Sequence, residues 1–319
     1  MPTNPTPGDV HVNVPLTNFS QKYLQDESNF ISLRAFPNLP VSKQSDLYYE
    51  FNKGDFWRVQ NTKRANATES GGGGFRLSTT PYFAGVDAWH KDVSDRDRAN
   101  ADSQIALDNS ATQYVSQILM ITREIEFATT FMTSGSWTTA INKDWTAAAS
   151  DPIADVKVGK RTIQGLTGIR PNKMIFGRQA WDTLTDNDAM LSRITGGANN
   201  ALPAMVMRTL VAQLFEIDEI FVMDAVKNTA IEGAADAISF IGGDDVLLYY
   251  APNSVSLDEP TAGVVFSWTG FLGATTNGIR IKRFRQENIE SDRIEGQMSY
   301  DQKLTAADLG YMFTTVSAA

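Results

Sequence analysis

The clearest periodicity in the chain lies over residues 108–135. Ala111, Tyr114, Val115, Ile118, Ile121, Thr122, Ile125, Ala128 and Met132 recur at helical spacing, which predicts one long amphipathic helix with Asp108 as its cap and Gly135 beyond its end. Such a helix would measure roughly 35 Å, enough to cross a domain. Its apolar positions drift with the α-helical period and do not hold a heptad, which argues against a coiled coil. A second pattern fills residues 150–188. Asp151 and Pro152 start a helix in which Ile153, Val156, Ile163 and Leu166 share a face, Gly168 stops it, and Pro171 prevents continuation. Met174-Ile175-Phe176 then reads as a short buried strand, and Gly177 turns it into a helix holding Trp181 and Leu184.

Elsewhere strands and breaks dominate. Pro2, Pro5, Pro7, Pro15, Pro37 and Pro40 punctuate residues 1–45 too heavily for a helix or a central strand. An extended arm is expected there, mobile over its polar opening. Residues 46–59 and 75–90 are heavy in Tyr, Phe, Trp and Val and read as two strand-rich arms. Between them, residues 60–74 contain no large apolar side chain and end in Gly71-Gly72-Gly73-Gly74. A connection of that length is either a functional loop or disorder. From 168 to 273, helices near Trp181, Met190 and 203–214 alternate with strands at 174–176, 220–223, 238–241 and 246–250. The Gly242-Gly243-Asp244-Asp245 turn predicts a hairpin between the last two.

Several strings, taken in order, resemble the major capsid proteins of tailed bacteriophages. They are Asp-Pro-Ile-Ala-Asp at 151–155, Thr-Gly-Ile-Arg-Pro-Asn at 167–172 and Trp-Asp-Thr-Leu at 181–184. Before them, Lys43-Gln44-Ser45-Asp46, Tyr48-Tyr49-Glu50-Phe51 and the run 53–58 look like the rising arm of that family's extended loop, and 81–83 with 88–93 like its return. After them, 281–284, 298–303 and 307–311 resemble its final peripheral-domain strands. The resemblance implies an α+β, Hong Kong 97-like capsid fold: an N-terminal arm (1–45), an extended β-hairpin loop (46–92), a peripheral domain with a long spine helix (93–167), an axial domain (168–273) and a return to the peripheral domain (274–319).

Composition bounds the alternatives. With 319 residues, 42% hydrophobic and 10% aromatic, the chain can bury a sizeable core in two domains or one elaborated one. Cys is absent, which removes disulfides, thiolate metal sites and Cys nucleophiles and fits a reducing cytoplasm. No apolar run approaches the roughly 18 residues that span a bilayer, and no signal peptide is visible. A net charge of -9 argues against a protein devoted to gripping nucleic acid. The basic cluster Arg280, Lys282, Arg283 and Arg285 alternates across two strand faces, and partners such as Glu287 and Glu290 are expected to neutralise it.

Candidate chemistry is sparse. His11 and His90 have no second His at metal-ligand spacing. Gly-x-Ser-x-Gly is missing, and the glycine run lacks the Lys and Ser/Thr of a phosphate loop. Asp92, Asp95 and Asp97 read as helix-start acids, and Asp244 and Asp245 as turn formers that aid solubility. The tryptophans 57, 89, 137, 145, 181 and 268 form no stacking groove and are expected in the core or at subunit contacts. No catalytic, cofactor or metal role is expected.

Under the resemblance, the chain assembles with itself into hexamers and pentamers of an icosahedral head around double-stranded DNA, which it contacts non-specifically. A separate scaffolding protein, a portal and a decoration protein are its implied partners. Assembly is expected in the host bacterial cytoplasm, with the finished virion as destination. The expected contacts with neighbouring subunits are Tyr48, Phe51, Phe56, Trp57, Lys63, Arg64, Glu69, Phe75 and Tyr82. The arm begins close to Met1, so no large N-terminal cleavage is expected. Covalent joining of Lys53 or Lys63 to Asn277 or Asn288 of a neighbour is expected not to occur. An encapsulin-type compartment shell is the alternative within the fold, and a carboxylate-dependent soluble enzyme the alternative outside it.

Overall fold

The computed structural model describes residues 23–100, 106–194, 207–256, 259–273 and 278–317. In chain order come β1 (Asn38–Val41), β2 (Ser45–Phe51), α1 (Lys53–Trp57), β3 (Leu77–Phe83), β4 (Gly85–Ser94), α2 (Asp95–Asn100), α3 (Leu107–Phe131) and β5 (Thr139–Asn142). Then follow α4 (Pro152–Thr167), β6 (Lys173–Gly177), α5 (Arg178–Asp186), α6 (Asp188–Ile194), α7 (Arg208–Phe215), β7 (Glu219–Met223), β8 (Val226–Asn228), β9 (Ile238–Phe240) and β10 (Val246–Tyr249). Last are β11 (Gly263–Trp268), α8 (Thr269–Leu272), β12 (Arg280–Gln286), β13 (Ser291–Leu304) and β14 (Gly310–Thr314). No helix among the described residues is long and apolar enough to cross a membrane.

The first sheet is built on β13, which pairs with β4 over residues 291–300 on one edge and with β12 over 291–297 and then β11 over 300–304 on the other; β1 closes the sheet parallel to β11. Pro40 sits in β1, an edge strand, where a missing amide breaks no central ladder. The spine helix α3 lies on this sheet. A Cβ at Gly296 would stand 2.6 Å from Val115 and 2.8 Å from Leu119, so glycine permits the close approach. Asp108 does not cap α3. The cap position is Ala106, without a side-chain bond, because the Asp108 carboxylate lies inside the first turn and is taken by Arg98 at 2.7 Å and Arg283 at 3.0 Å.

The second sheet runs β5-β14-β10-β6-β7. All of β6 and β10 is buried, as expected of strands covered on both faces. Helix α4 covers one of them, its Gly159 meeting Leu248, Tyr311 and Phe313. Asp151 caps α4 by accepting the Ile153 and Ala154 amides, and Gly168 ends it at φ 69°. Leu166, assigned to the apolar face, is instead partly exposed. Sheet membership departs from linear order, since residues 139–142 and 310–314 complete the sheet formed by 173–177, 219–223 and 246–249.

The turn at 242–245 joins no hairpin. β9 pairs with β8, whereas β10 lies between β14 and β6. The two glycines serve a close crossing: a Cβ on Gly177 would stand 2.2 Å from the Gly243 carbonyl oxygen, and one on Gly242 would stand 2.5 Å from Met223 Cβ. Asp245 is half-buried here; its carboxylate accepts the Thr315 amide at 3.2 Å, and burial pushes its pKa up to about 6. That is more than a soluble turn residue.

Part of the expected arm belongs to the core. Phe30, Ile31, Ala35 and Phe36 are buried, and Phe36 packs on Phe131 and Tyr249 with ring centroids 4.3 and 4.7 Å away. Glu124, buried in α3, accepts the Ile31 and Ser32 amides at 3.2 and 2.9 Å, and burial pushes its carboxyl pKa up. Beside it the Arg123 guanidinium lies 4.8 Å over the Tyr300 ring. His11, Asn277 and the expected helix start at Pro203 lie outside the described residues.

Two charge assignments also change. Asp95 and Asp97 open α2 as expected, but Asp92 lies on β4, held by Arg293 through two bonds of 2.7 and 2.8 Å. Arg283 and Arg285 find Asp292, Asp108 and Asp95, with Glu287 only a distant partner of Arg285 at 3.6 Å. Strand pairing brings these acids alongside, where sequence neighbours do not reach.

Candidate assembly interface

The extended loop is a two-stranded hairpin of β2 and β3, with Tyr48 opposite Thr80 and Phe51 opposite Leu77. Directly paired residues share a face, so Leu47, Tyr49, Phe51, Leu77, Pro81 and Phe83 lie together on one side. Tyr48, Glu50, Ser78, Thr80 and Tyr82 occupy the other. Leu47, Tyr49, Phe51, Leu77 and Phe83 are 48% to 64% exposed. An apolar hairpin face left open in its own chain is a surface suited to a partner.

The second face is turned inward only at Tyr48 and Tyr82; Glu50 and Ser78 on it are exposed. Tyr82 is buried on Phe266, and Tyr48 packs on the same ring with centroids 5.7 Å apart. Tyr82 therefore belongs to its own subunit's core and leaves the set of expected intersubunit contacts. Tyr48 is half-buried for the same reason.

At the end of the hairpin the chain forms a knuckle. Asn52 accepts the Gly54 amide and starts α1, so the expected strand arm over 46–59 is interrupted by a helical turn. Phe51, Phe56 and Phe75 cluster with ring centroids 5.4 to 6.1 Å apart. Asp55 accepts the Arg76 amide at 3.0 Å and its guanidinium at 3.0 and 3.2 Å, tying the outgoing strand to the return; these bonds hold the Asp55 carboxyl below its usual pKa. Every residue from 56 to 79 is exposed. Lys63, Arg64 and Glu69 lie in this tip; Arg64 reaches only the Thr68 carbonyl nearby. Trp57 reaches Gly168 of its own chain.

Leu47, Tyr49, Leu77 and Phe83 were missed by composition-based reading of the arms. Period-two alternation over residues 45–51 and 77–83 separates them from Tyr48 and Tyr82, and would have found them. Among the described residues, no group of His, Asp and Glu is arranged to hold a metal ion. A cavity of about 350 Å³ opens beside Trp145, lined by Asp182, Asp186 and Asp188; Asp182 is already paired with Arg178 at 2.8 Å.

A hairpin with an open apolar face, a long helix across one sheet, and a second sheet under α4 make up an architecture that known proteins share. The sequence profile of the family described as phage major capsid protein E matches residues 73–255. The chain belongs to this family. A major capsid protein of Burkholderia phage BcepMu is 25% identical to it over 318 residues, covering 95% of each chain. The crystal structure of a phage-related protein from Bordetella bronchiseptica RB50 has the same fold with a TM-score of 0.66 and 21% identity, over 91% of this chain and 93% of that one. The capsid of Myoviridae phage XM1 matches with a TM-score of 0.57 and 10% identity, over 95% of this chain and 98% of that one. The fold is the Hong Kong 97-like capsid fold, and the protein is a phage major capsid protein, a component of the virion shell. Family and relative are both phage capsid proteins, which does not favour the encapsulin alternative.

Proposed function

We propose that this capsid protein builds an icosahedral head of hexamers and pentamers around double-stranded DNA, and that the β2–β3 hairpin is the element that draws neighbouring subunits together. One observation carries the role of the hairpin: five large apolar side chains on one face, Leu47, Tyr49, Phe51, Leu77 and Phe83, stay about half or more exposed in their own chain. Burying them against a neighbour adds apolar area at about 25 cal/mol per Å². Phe56, Trp57 and Phe75 at the knuckle and Lys63, Arg64 and Glu69 at the tip extend that contact. Hairpin and knuckle, residues 45–83, form the core of the extended loop expected over 46–92, whose last residues run on as β4 into the first sheet; the peripheral domain centres on α3 and that sheet, and the axial domain on the second sheet. A separate scaffolding protein, a portal and a decoration protein complete the assembly in the bacterial cytoplasm, and the chain's net charge of -9 suits a wall that holds DNA without gripping it.

Replacing residues 62–73 with a short Gly-Ser turn tests the reading. The shortened chain is expected to fold with near-unchanged thermal unfolding, because the tip is exposed throughout, and to form no regular shells by electron microscopy. Normal particles of normal stability would show that the tip is no assembly element.

A further inference from the structure

The knuckle is seated on its own subunit. Lys53 forms an ion pair with Asp308, whose other carboxylate oxygen accepts the Thr138 hydroxyl. Trp57 lies over Gly168, where a Cβ would sit 3.5 Å from the indole. Asp308 lies two residues before β14 and Gly168 ends α4, so the seat is formed beside the second sheet and its covering helix. The contacts are weak ones: the Lys53 and Asp308 side chains are 46% and 33% exposed, and Trp57 is half-exposed. An ion pair that open to water holds little.

The root of the hairpin is held differently. Tyr82 is stacked on Phe266, the Phe83 amide donates to Asp301 at 2.9 Å, and the Ala84 amide donates to the Gln44 carbonyl at 2.8 Å. Between root and knuckle run two strands alone, a unit with little stability of its own. An arm fixed firmly at one end and weakly at the other has two accessible positions, and a competing contact at the weak end selects between them.

We propose that α1 is a latch. In the free subunit it holds the extended loop back on its own body through Lys53–Asp308 and Trp57–Gly168, and it is released when the hairpin docks on a second copy of this chain. The inference rests on the assembly role proposed for the hairpin and adds a cis-seated state that precedes docking. The latch delays intersubunit contact until the competing surface of a neighbour is present.

The chain has no cysteine, so Lys53→Cys with Asp308→Cys introduces the only two thiols. The purified double variant is treated with a short bismaleimide and then brought to assembly conditions, with light scattering and electron microscopy as readouts. A bridge is expected within one chain, running as a monomer on a denaturing gel, and bridged subunits are expected to form shells at least about tenfold more slowly than wild type. Unbridged variant, lacking the ion pair, is expected to assemble roughly two- to fivefold faster than wild type. No intrachain bridge would overturn the seat, and bridged subunits assembling at the unbridged rate would overturn its release. Failure of the assembly reading shows separately, as normal shells from a chain carrying Leu47→Ser, Tyr49→Ser and Phe83→Ser, whereas the bridge reports the seat without any shell.

Discussion

The rings of Tyr82 and Phe266 lie face to face, with centroids 4.4 Å apart and planes within 6°. Through this pair the hairpin is joined to β11 of the first sheet. Tyr82→Ala should cost about 3 kcal/mol in urea unfolding, from lost burial and a cavity against Phe266. Tyr82→Phe should cost little, because the phenol donates only a long bond of 3.4 Å to the Lys43 carbonyl. Equal losses from both variants would place the stabilisation in the hydroxyl.

Glycines separate the core crossing from the loop. Gly177→Ala puts a methyl 2.2 Å from the Gly243 carbonyl oxygen, a backbone atom with no room to yield. A loss of about 3 kcal/mol or more, with poor soluble yield, is expected. Gly72→Ala meets nothing within 4 Å and should leave the melting temperature unchanged, as differential scanning calorimetry would show.

The turn acid Asp245 gives the fold a pH dependence of known sign. Its folded pKa, pushed up to about 6 by burial, lies above the unfolded value of 3.8. The native state therefore binds more protons between the two values, and stability contributed at this site declines as pH rises from about 4 to about 6. Asp245→Asn keeps an acceptor for the Thr315 amide and removes the charge. At pH 7 it should stabilise the protein by the order of 1 kcal/mol, a figure reduced for solvent screening of a half-buried group. Denaturant titrations at pH 4 and pH 7 check it: the variant should gain at pH 7 and gain little at pH 4.

Lys53 lets go of Asp308 once the hairpin docks, and Lys63 lies in the exposed tip; loop lysines of this kind are ordinarily solvated charges. Mature particles run on a denaturing gel should therefore give one band near 35.1 kDa, without a ladder of multimers. A ladder would mean that Lys53 or Lys63 leaves its surroundings to react with a neighbour.

Helices were the most legible part of the chain, because their signals are local. Asp151, Pro152 and Gly168 bound α4 as their own chemistry dictates, and helical spacing announced α3, although its buried stripe runs through Leu119, Met120, Phe127 and Phe131 while Tyr114 is exposed and Ile118 and Ile125 are only partly buried. Pairing was less legible. The Gly242-Gly243-Asp244-Asp245 turn carries the chemistry of a hairpin, but its glycines answer to Gly177 and Met223, which are far away in sequence. The same holds for Asp108, which has the side chain of a cap and is taken instead by Arg98 and Arg283. At the candidate interface, aromatic content located the arms correctly. Only strand register decides which aromatic residues face Phe266 and which face outward.

The place of β14 has a consequence for synthesis. It lies inside the second sheet, between β5 and β10, yet it follows every other strand of that sheet in the chain. Until β14 has been made, β10 lacks a neighbour on one edge and β5 has no strand partner among the described residues. A chain stalled before residue 310 consequently presents an open buried-type sheet edge, a substrate for chaperones and proteases and not for a growing shell. One five-residue strand thus completes a sheet whose other four strands all precede it in the chain, and a chain lacking it leaves that sheet open.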